Sequence, residues 1–333
     1  MELRNLGTSG LKVSLVGLGC NNFGGRIDLE GTRKVIHRAL DLGITLFDTA
    51  DVYGDRGGSE TCMGQVLGDR RKDIVLATKF AMPMGPGDMM KGASRRYIFS
   101  AVEASLKRLK TDWIDLYQIH QYDTATPIEE TMRTLDDLVR LGKVRYVGCS
   151  NFPAWRVVEA QWTAKSLGLN AFIACQDHYS LLFRDIEAEL VPAMRAYGLG
   201  LLPFFPLASG LLTGKYRKGK PMPTGARLTK SPMMAERFMG GDNLAIVERL
   251  DAFCRARGRT LLELAFSWLA ARPMVASVIA GATRPDQLDQ NVAAVQWSLS
   301  NDDMDEIARL LRPGAPENRI KATTITRSRK RRK

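Results

Sequence analysis

At 333 residues, 45% hydrophobic and 25% charged, the chain has the make-up of a globular protein that can bury a sizeable core. Its net charge of +12 is partly terminal: Arg327, Arg329, Lys330, Arg331, Arg332 and Lys333 carry six of the positive charges, and the +6 that remains suits a phosphate-bearing ligand. Five scattered cysteines without a C-x-x-C pair exclude a disulfide framework and a zinc site, and no metal is expected. The polar start is no secretory signal, and the apolar run at 198–212 is too short and too proline-broken to span a bilayer, so a cytoplasmic protein is expected.

In chain order, residues 3–13 read as two short strands around a turn between Gly7 and Gly10, a hairpin able to plug a barrel floor. Apolar strand runs then recur at 13–19, 45–47, 74–79, 114–120, 144–149, 172–176, 200–204 and 276–279. Helical periodicity marks 32–42, 96–109, 128–141, 155–167, 186–197, 243–257 and 261–271, with Val35, Ala39 and Leu42 showing the spacing. Strands alternating with helices of this length imply parallel βαβ units, and eight units close into a (β/α)8 TIM barrel. A single barrel domain over 1–320 is expected, followed by a basic tail at 321–333. The insertion at 210–241, rich in Gly, Pro, Lys and Met, has no periodicity, and a loop that long in a compact domain is functional or disordered. The tail has no interleaved aromatics, so it gives little support to nucleic-acid binding.

Function in such a barrel sits at the carboxyl ends of the strands. Read there, the strands deliver Asp48 with Tyr53 just beyond, then Lys79, His120, Ser150 with Asn151, and Gln176. Alone, Asp48 and Thr49 read more readily as a turn capping its own backbone. Together the residues are chemically coherent. A tyrosine is a poor acid near pH 7, a neighbouring ammonium favours its phenolate, and a buried lysine needs a counter-charge. A neutral His120 could hydrogen-bond a carbonyl oxygen and fix its orientation. No nucleophile–base pair, G-x-S-x-G elbow or phosphate loop accompanies this proton donor, which leaves a hydride brought by a cofactor. The glycines at 17 and 19 lack the third glycine of a dinucleotide fingerprint. A better anion site is the segment 279–291, where Thr283 with Asp286 resembles a helix cap, Pro285 suits a first turn and Arg284 adds charge. Lys215 and Arg227 in the long insertion offer the phosphates further partners.

These residues resemble the aldo-keto reductase family across essentially the whole chain. The resemblance rests on the D-T-A-D-V-Y-G run at 48–54, A-T-K at 77–79, L-Y-Q-I-H at 116–120, G-C-S-N-F at 148–152, Gln176, G-L-L-T-G-K-Y at 210–216 and the segment 281–291. It is closest to the bacterial branch that also resembles potassium-channel β subunits. The resemblance implies a reductase of aldehydes and ketones using NADPH, with NADH as the alternative carrier. Tyr53 would be the acid, Lys79 its modulator, Asp48 the partner of Lys79, and His120 the carbonyl orienter. Asp48 would also border the cofactor, Ser150, Asn151 and Gln176 would hold its carboxamide, and Phe204 would stack on the nicotinamide. Leu207, Ser209, Lys215 and Arg227 would line the pyrophosphate channel. Gly281, Thr283, Arg284, Gln287, Gln290 and Asn291 would surround the adenosine and its 2′-phosphate. Phe205 stands where the family commonly has serine, Gly281 replaces a frequent lysine and Gln290 a frequent glutamate. The substrate would be a small carbonyl compound held against Phe23, the loops at 80–90 and 121–123, and the carboxyl-terminal segment. The resemblance leaves a second possibility, a cofactor-sensing regulatory subunit with vestigial chemistry. Oligomeric state is not readable from the sequence.

Overall fold

The computed structural model describes residues 1–217 and 219–312. The expected basic tail at 321–333 and the last part of the expected substrate wall lie outside the described residues.

The chain opens with an antiparallel hairpin of β1 (Leu3–Asn5) and β2 (Lys12–Ser14). Eight parallel strands follow: β3 (Val16–Gly19), β4 (Leu46–Asp48), β5 (Val75–Phe80), β6 (Ile114–Ile119), β7 (Val144–Ser150), β8 (Phe172–Gln176), β9 (Gly200–Leu201) and β10 (Val278–Gly281). β10 pairs with β3, and a parallel bridge from Leu201 to Val275 joins β9 to the approach of β10, closing the ring. Helices α1 (Leu29–Asp41), α2 (Tyr53–Leu67), α3 (Arg95–Leu109), α4 (Ile128–Arg140), α5 (Ala154–Leu167) and α6 (Leu190–Tyr197) alternate with these strands. Between β9 and β10 lie α7 (Arg227–Lys230), α8 (Pro232–Met239), α9 (Asn243–Arg255) and α10 (Leu261–Ala270), and α11 (Pro285–Ala294) and α12 (Asn301–Leu310) complete the outer layer. The expected (β/α)8 barrel is the observed fold.

Local chemistry sets the boundaries. Asp28 caps α1 by accepting from the Gly31 N–H, and Thr260 with Glu263 forms a reciprocal capping box on α10. The expected single strand at 13–19 is divided. Ser14 breaks it, its hydroxyl donating to Val16 O and accepting from Thr45 N–H, so that 12–14 belongs to the hairpin and 16–19 to the barrel. The last strand lies two residues later than its apolar run suggests. The insertion at 210–241 is not structureless: a 3-10 stretch over Ala208–Thr213 precedes α7 and α8.

The hairpin does close the floor. Leu6 and Val13 form one buried cluster with Leu46, Ala77, Leu116, Ala174, Leu202, Ala276 and Ile279, the inward-facing residues of the strands. Thr8 N–H donates to Gly198 O at 2.8 Å, tying the turn to the start of β9. Gly7, at φ 61°, sits so close to this edge that a Cβ would lie 2.4 Å from Gly198 O. Inward side chains alternate along a strand with period two. One step of two residues above the apolar layer therefore brings Asp48 above Leu46, Lys79 above Ala77, Gln118 above Leu116 and Gln176 above Ala174.

Candidate active site

That upper layer is a connected polar network. Lys79, fully buried, donates to Asp48 Oδ2 at 2.7 Å and to Thr49 O at 2.8 Å. Asp48 Oδ1 accepts from Gln176 Nε2 at 2.8 Å and from Gln118 Nε2 at 3.4 Å. Burial alone pulls the Lys79 ammonium down, but the charges of Asp48 and Tyr53 outweigh it and hold the group above its ordinary value, so it stays charged.

Tyr53 enters from the loop after β4. Gly54 follows it at φ 66°, where a Cβ would lie 2.5 Å from Phe23 O, so only glycine lets the chain turn into α2 at that point. The Lys79 Nζ lies 5.2 Å from the Tyr53 ring centre, and the His120 ring meets Tyr53 edge-on at 5.6 Å. Lys79 acts on the phenol in the expected direction, yet burial is the larger influence and the Tyr53 hydroxyl titrates above its ordinary value. It is protonated at neutral pH. Burial, then Lys79, lowers His120 to about 3, so its ring is neutral, and its Nδ1 is buried without a partner.

Asn151 adopts the left-handed conformation at φ 56°, and its side-chain Nδ2 donates to His120 O and to Ser150 Oγ, each at 2.9 Å. Ser150 Oγ donates to Gln176 O at 2.6 Å. These bonds place Ser150, Asn151 and Gln176 side by side on the wall of one cavity of about 850 Å³, together with Asp48, Tyr53 and His120. Lys79 lies behind that wall. Phe204, Phe205, Leu207, Ser209, Lys215, Arg227, Gly281, Thr283, Arg284 and Gln287 also line the cavity, whereas Gln290 and Asn291 sit further along α11, off the wall. The cap on α11 differs from expectation: Gln287, not Asp286, accepts from the Thr283 N–H at 2.8 Å, while Asp286 pairs with Arg284 at 3.0 Å. Phe23 is core, fully buried, and Met82 represents the 80–90 loop on the wall.

Several residues of the site, Gln118 in the buried network and four on the cavity wall, escaped the sequence reading. Gln118 lies two residues before His120 on the same strand, and alternation could have found it. Asn21, Asn22, Arg26 and Arg237 carried no local signal, since the first three sit in an irregular loop and the last in α8.

The cavity fits a dinucleotide. Among the described lining residues Asp48 is the one carboxylate, already paired with Lys79, while Arg26, Lys215, Arg227, Arg237 and Arg284 are cationic. Burial, then Arg26, lowers Arg227, and burial, then Arg227, lowers Lys215, so these cations repel one another and favour an anion between them. Ser209 Oγ is buried without a partner on the same wall, and Phe205, Ala208 and Ser209 all have left-handed φ.

A model described as the aldo/keto reductase family matches residues 15–312. The chain is 40% identical over 302 residues to a probable voltage-gated potassium channel subunit beta of Arabidopsis thaliana, covering 89% of this chain and 91% of that protein. It is 38% identical over 322 residues to the uncharacterized oxidoreductase YrpG of Bacillus subtilis, covering 93% and 95%. With L-glyceraldehyde 3-phosphate reductase of Escherichia coli it shares 34% identity over 306 residues, covering 89% and 88%.

Proposed function

The chain belongs to the aldo/keto reductase family of oxidoreductases, and we propose that it reduces aldehydes and ketones to alcohols with NADPH, Tyr53 supplying the proton. When bound, the cofactor supplies the hydride. The observation that carries this reading is Asp48, Tyr53 and a neutral His120 on one cavity wall, with Lys79 behind it paired to Asp48 at 2.7 Å.

Each residue then has a definable task. Tyr53 holds its proton at rest because burial raises it, and passes that proton to the carbonyl oxygen as negative charge develops there. Lys79 faces the phenol with a fixed positive charge, which stabilises the phenolate left behind. Asp48 keeps the ammonium charged in a dry site and, with Gln176 and Gln118, fixes its position. His120, neutral, orients the carbonyl without competing as an acid. Ser150, Asn151 and Gln176 would hold the carboxamide. Lys215, Arg227 and Ser209 would hold the pyrophosphate, and Arg284, exchanging Asp286 for a 2′-phosphate, would favour NADPH over NADH.

The test is Tyr53→Phe. Loss of a positioned general acid should lower kcat for a simple aldehyde by about 10²-fold or more, with NADPH affinity, read by protein fluorescence, retained. Turnover within threefold of the parent protein would remove Tyr53 from its role. The name of the Arabidopsis relative favours a second reading, a cofactor-binding subunit of a membrane protein. Negligible turnover of a carbonyl panel together with co-purification of a membrane protein would favour it.

A further inference from the structure

Of the five cations on the cavity wall, Lys215, Arg227 and Arg284 are assigned to phosphates of the proposed cofactor and Arg26 acts on Arg227; Arg237 belongs to neither set. The repulsions divide the cations into groups, because Arg227 is affected by Arg26, and Lys215 by Arg227, whereas Arg237 acts on His178. His178 lies just off the cavity wall. It bridges to Phe204 in the barrel wall, and their rings lie parallel at 5.6 Å. Burial, then Arg237, lowers His178 to about 4, so it is neutral and its Nδ1 can accept from Arg237 Nη2 at 3.5 Å. Arg237 therefore stands on the solvent rim beside the Phe204 platform, in the cavity that holds Tyr53 and His120.

Its other recorded contact is the Phe238 ring, and among the described residues no carboxylate pairs with it. It is not needed to fasten α8 either. Phe238, fully buried, does that by packing edge-on against Phe183, Phe205 and His178. A guanidinium left with one weak neutral contact at a cavity mouth offers a fork of donors to a carboxylate or phosphate. We propose that Arg237 selects carbonyl substrates bearing an anionic group, carboxylate or phosphate, placed to reach the rim while the carbonyl lies at Tyr53 and His120. This rests on the reductase reading and names the substrate class for it.

The experiment uses the full chain with NADPH and two matched pairs, 4-formylbenzoate against its methyl ester and glycolaldehyde phosphate against glycolaldehyde. The anion should be favoured in kcat/KM by about tenfold at low salt, with the preference shrinking as salt rises. Arg237→Ala should bring that ratio to about one by raising KM for the anion, Arg237→Lys should keep part of it, and Arg237→Glu should invert it. The idea fails if the parent protein shows no anion preference, if Arg237→Ala lowers both members of a pair equally, or if it weakens NADPH binding instead, which would assign Arg237 to the cofactor. If no carbonyl at all is reduced, the reductase reading falls and this inference with it. Activity without anion preference overturns this inference alone.

Discussion

Exchanging Lys79 for methionine removes one member of an ion pair whose side chains are 0% and 6% exposed. Breaking a buried pair from one side costs about 3–5 kcal/mol, because a charge is left without its partner. Asp48 would keep Gln176 at 2.8 Å and Gln118 at 3.4 Å, which places Lys79→Met at the lower end, about 3 kcal/mol. Asp48→Asn leaves the buried ammonium with neutral acceptors only, Thr49 O among them, and should cost nearer 5 kcal/mol. In the double variant no unpaired charge remains, so its loss should not exceed that of the costlier single change, a coupling of about 3 kcal/mol or more. Urea midpoints at unchanged m-value supply the three differences. Costs that simply add, within about 0.5 kcal/mol, would refute the claim that these groups serve as each other's counter-charge.

Further expectations follow from other groups. Burial first, then Glu60, raises Asp51 to about 8, and burial raises Asp177 to about 7, with three of their four carboxylate oxygens unpartnered. The folded state binds the extra proton here, so stability is lost as pH rises from about 4 through 7 and 8. Asp51→Asn and Asp177→Asn should flatten that decline in melting scans, and an unchanged slope between about pH 4 and 8 would count against it. His120 runs the other way: the unfolded state takes its proton first, so stability falls as pH drops from about 6.5 towards 3, and His120→Gln should lessen that acid loss. Gly7→Ala forces a Cβ against Gly198 O and Gly200 N and should cost about 1–3 kcal/mol in urea unfolding. Arg227→Ala should raise the NADPH dissociation constant about tenfold and make it less salt-sensitive; unchanged affinity would remove Arg227 from the phosphate channel.

The sequence was most legible where one physical rule acts alone. The jump from apolar to polar at strand ends picks out Asp48, Lys79 and Gln176, which the barrel forces into one layer, and His120 one rung above it. Gln118 obeys the same rule but hides inside its strand, one rung below the visible end. The break at Ser14 depends on a hydroxyl partner at Thr45, thirty-one residues away, which no local pattern announces. The start of α2 was hidden by the left-handed residues 54–57, and α7 and α8 by their shortness, four and eight residues in a Gly- and Pro-rich segment. The sequence points to Tyr53 but not to the direction of its titration, since the balance between burial and Lys79 is a property of the packed site.

The hairpin beneath the barrel has a consequence for the order of events in folding. Its turn contacts Gly198 and its side chains join Leu202 and Ala276, so the hairpin residues wait for partners made some 190 or more residues later. Contacts of such sequence separation carry a large loop-closure cost and form late. Until then Leu6 and Val13 travel exposed on a nascent chain. The seal of the molecule is thus set last, and a barrel that closes around the wrong register will be unable to receive it.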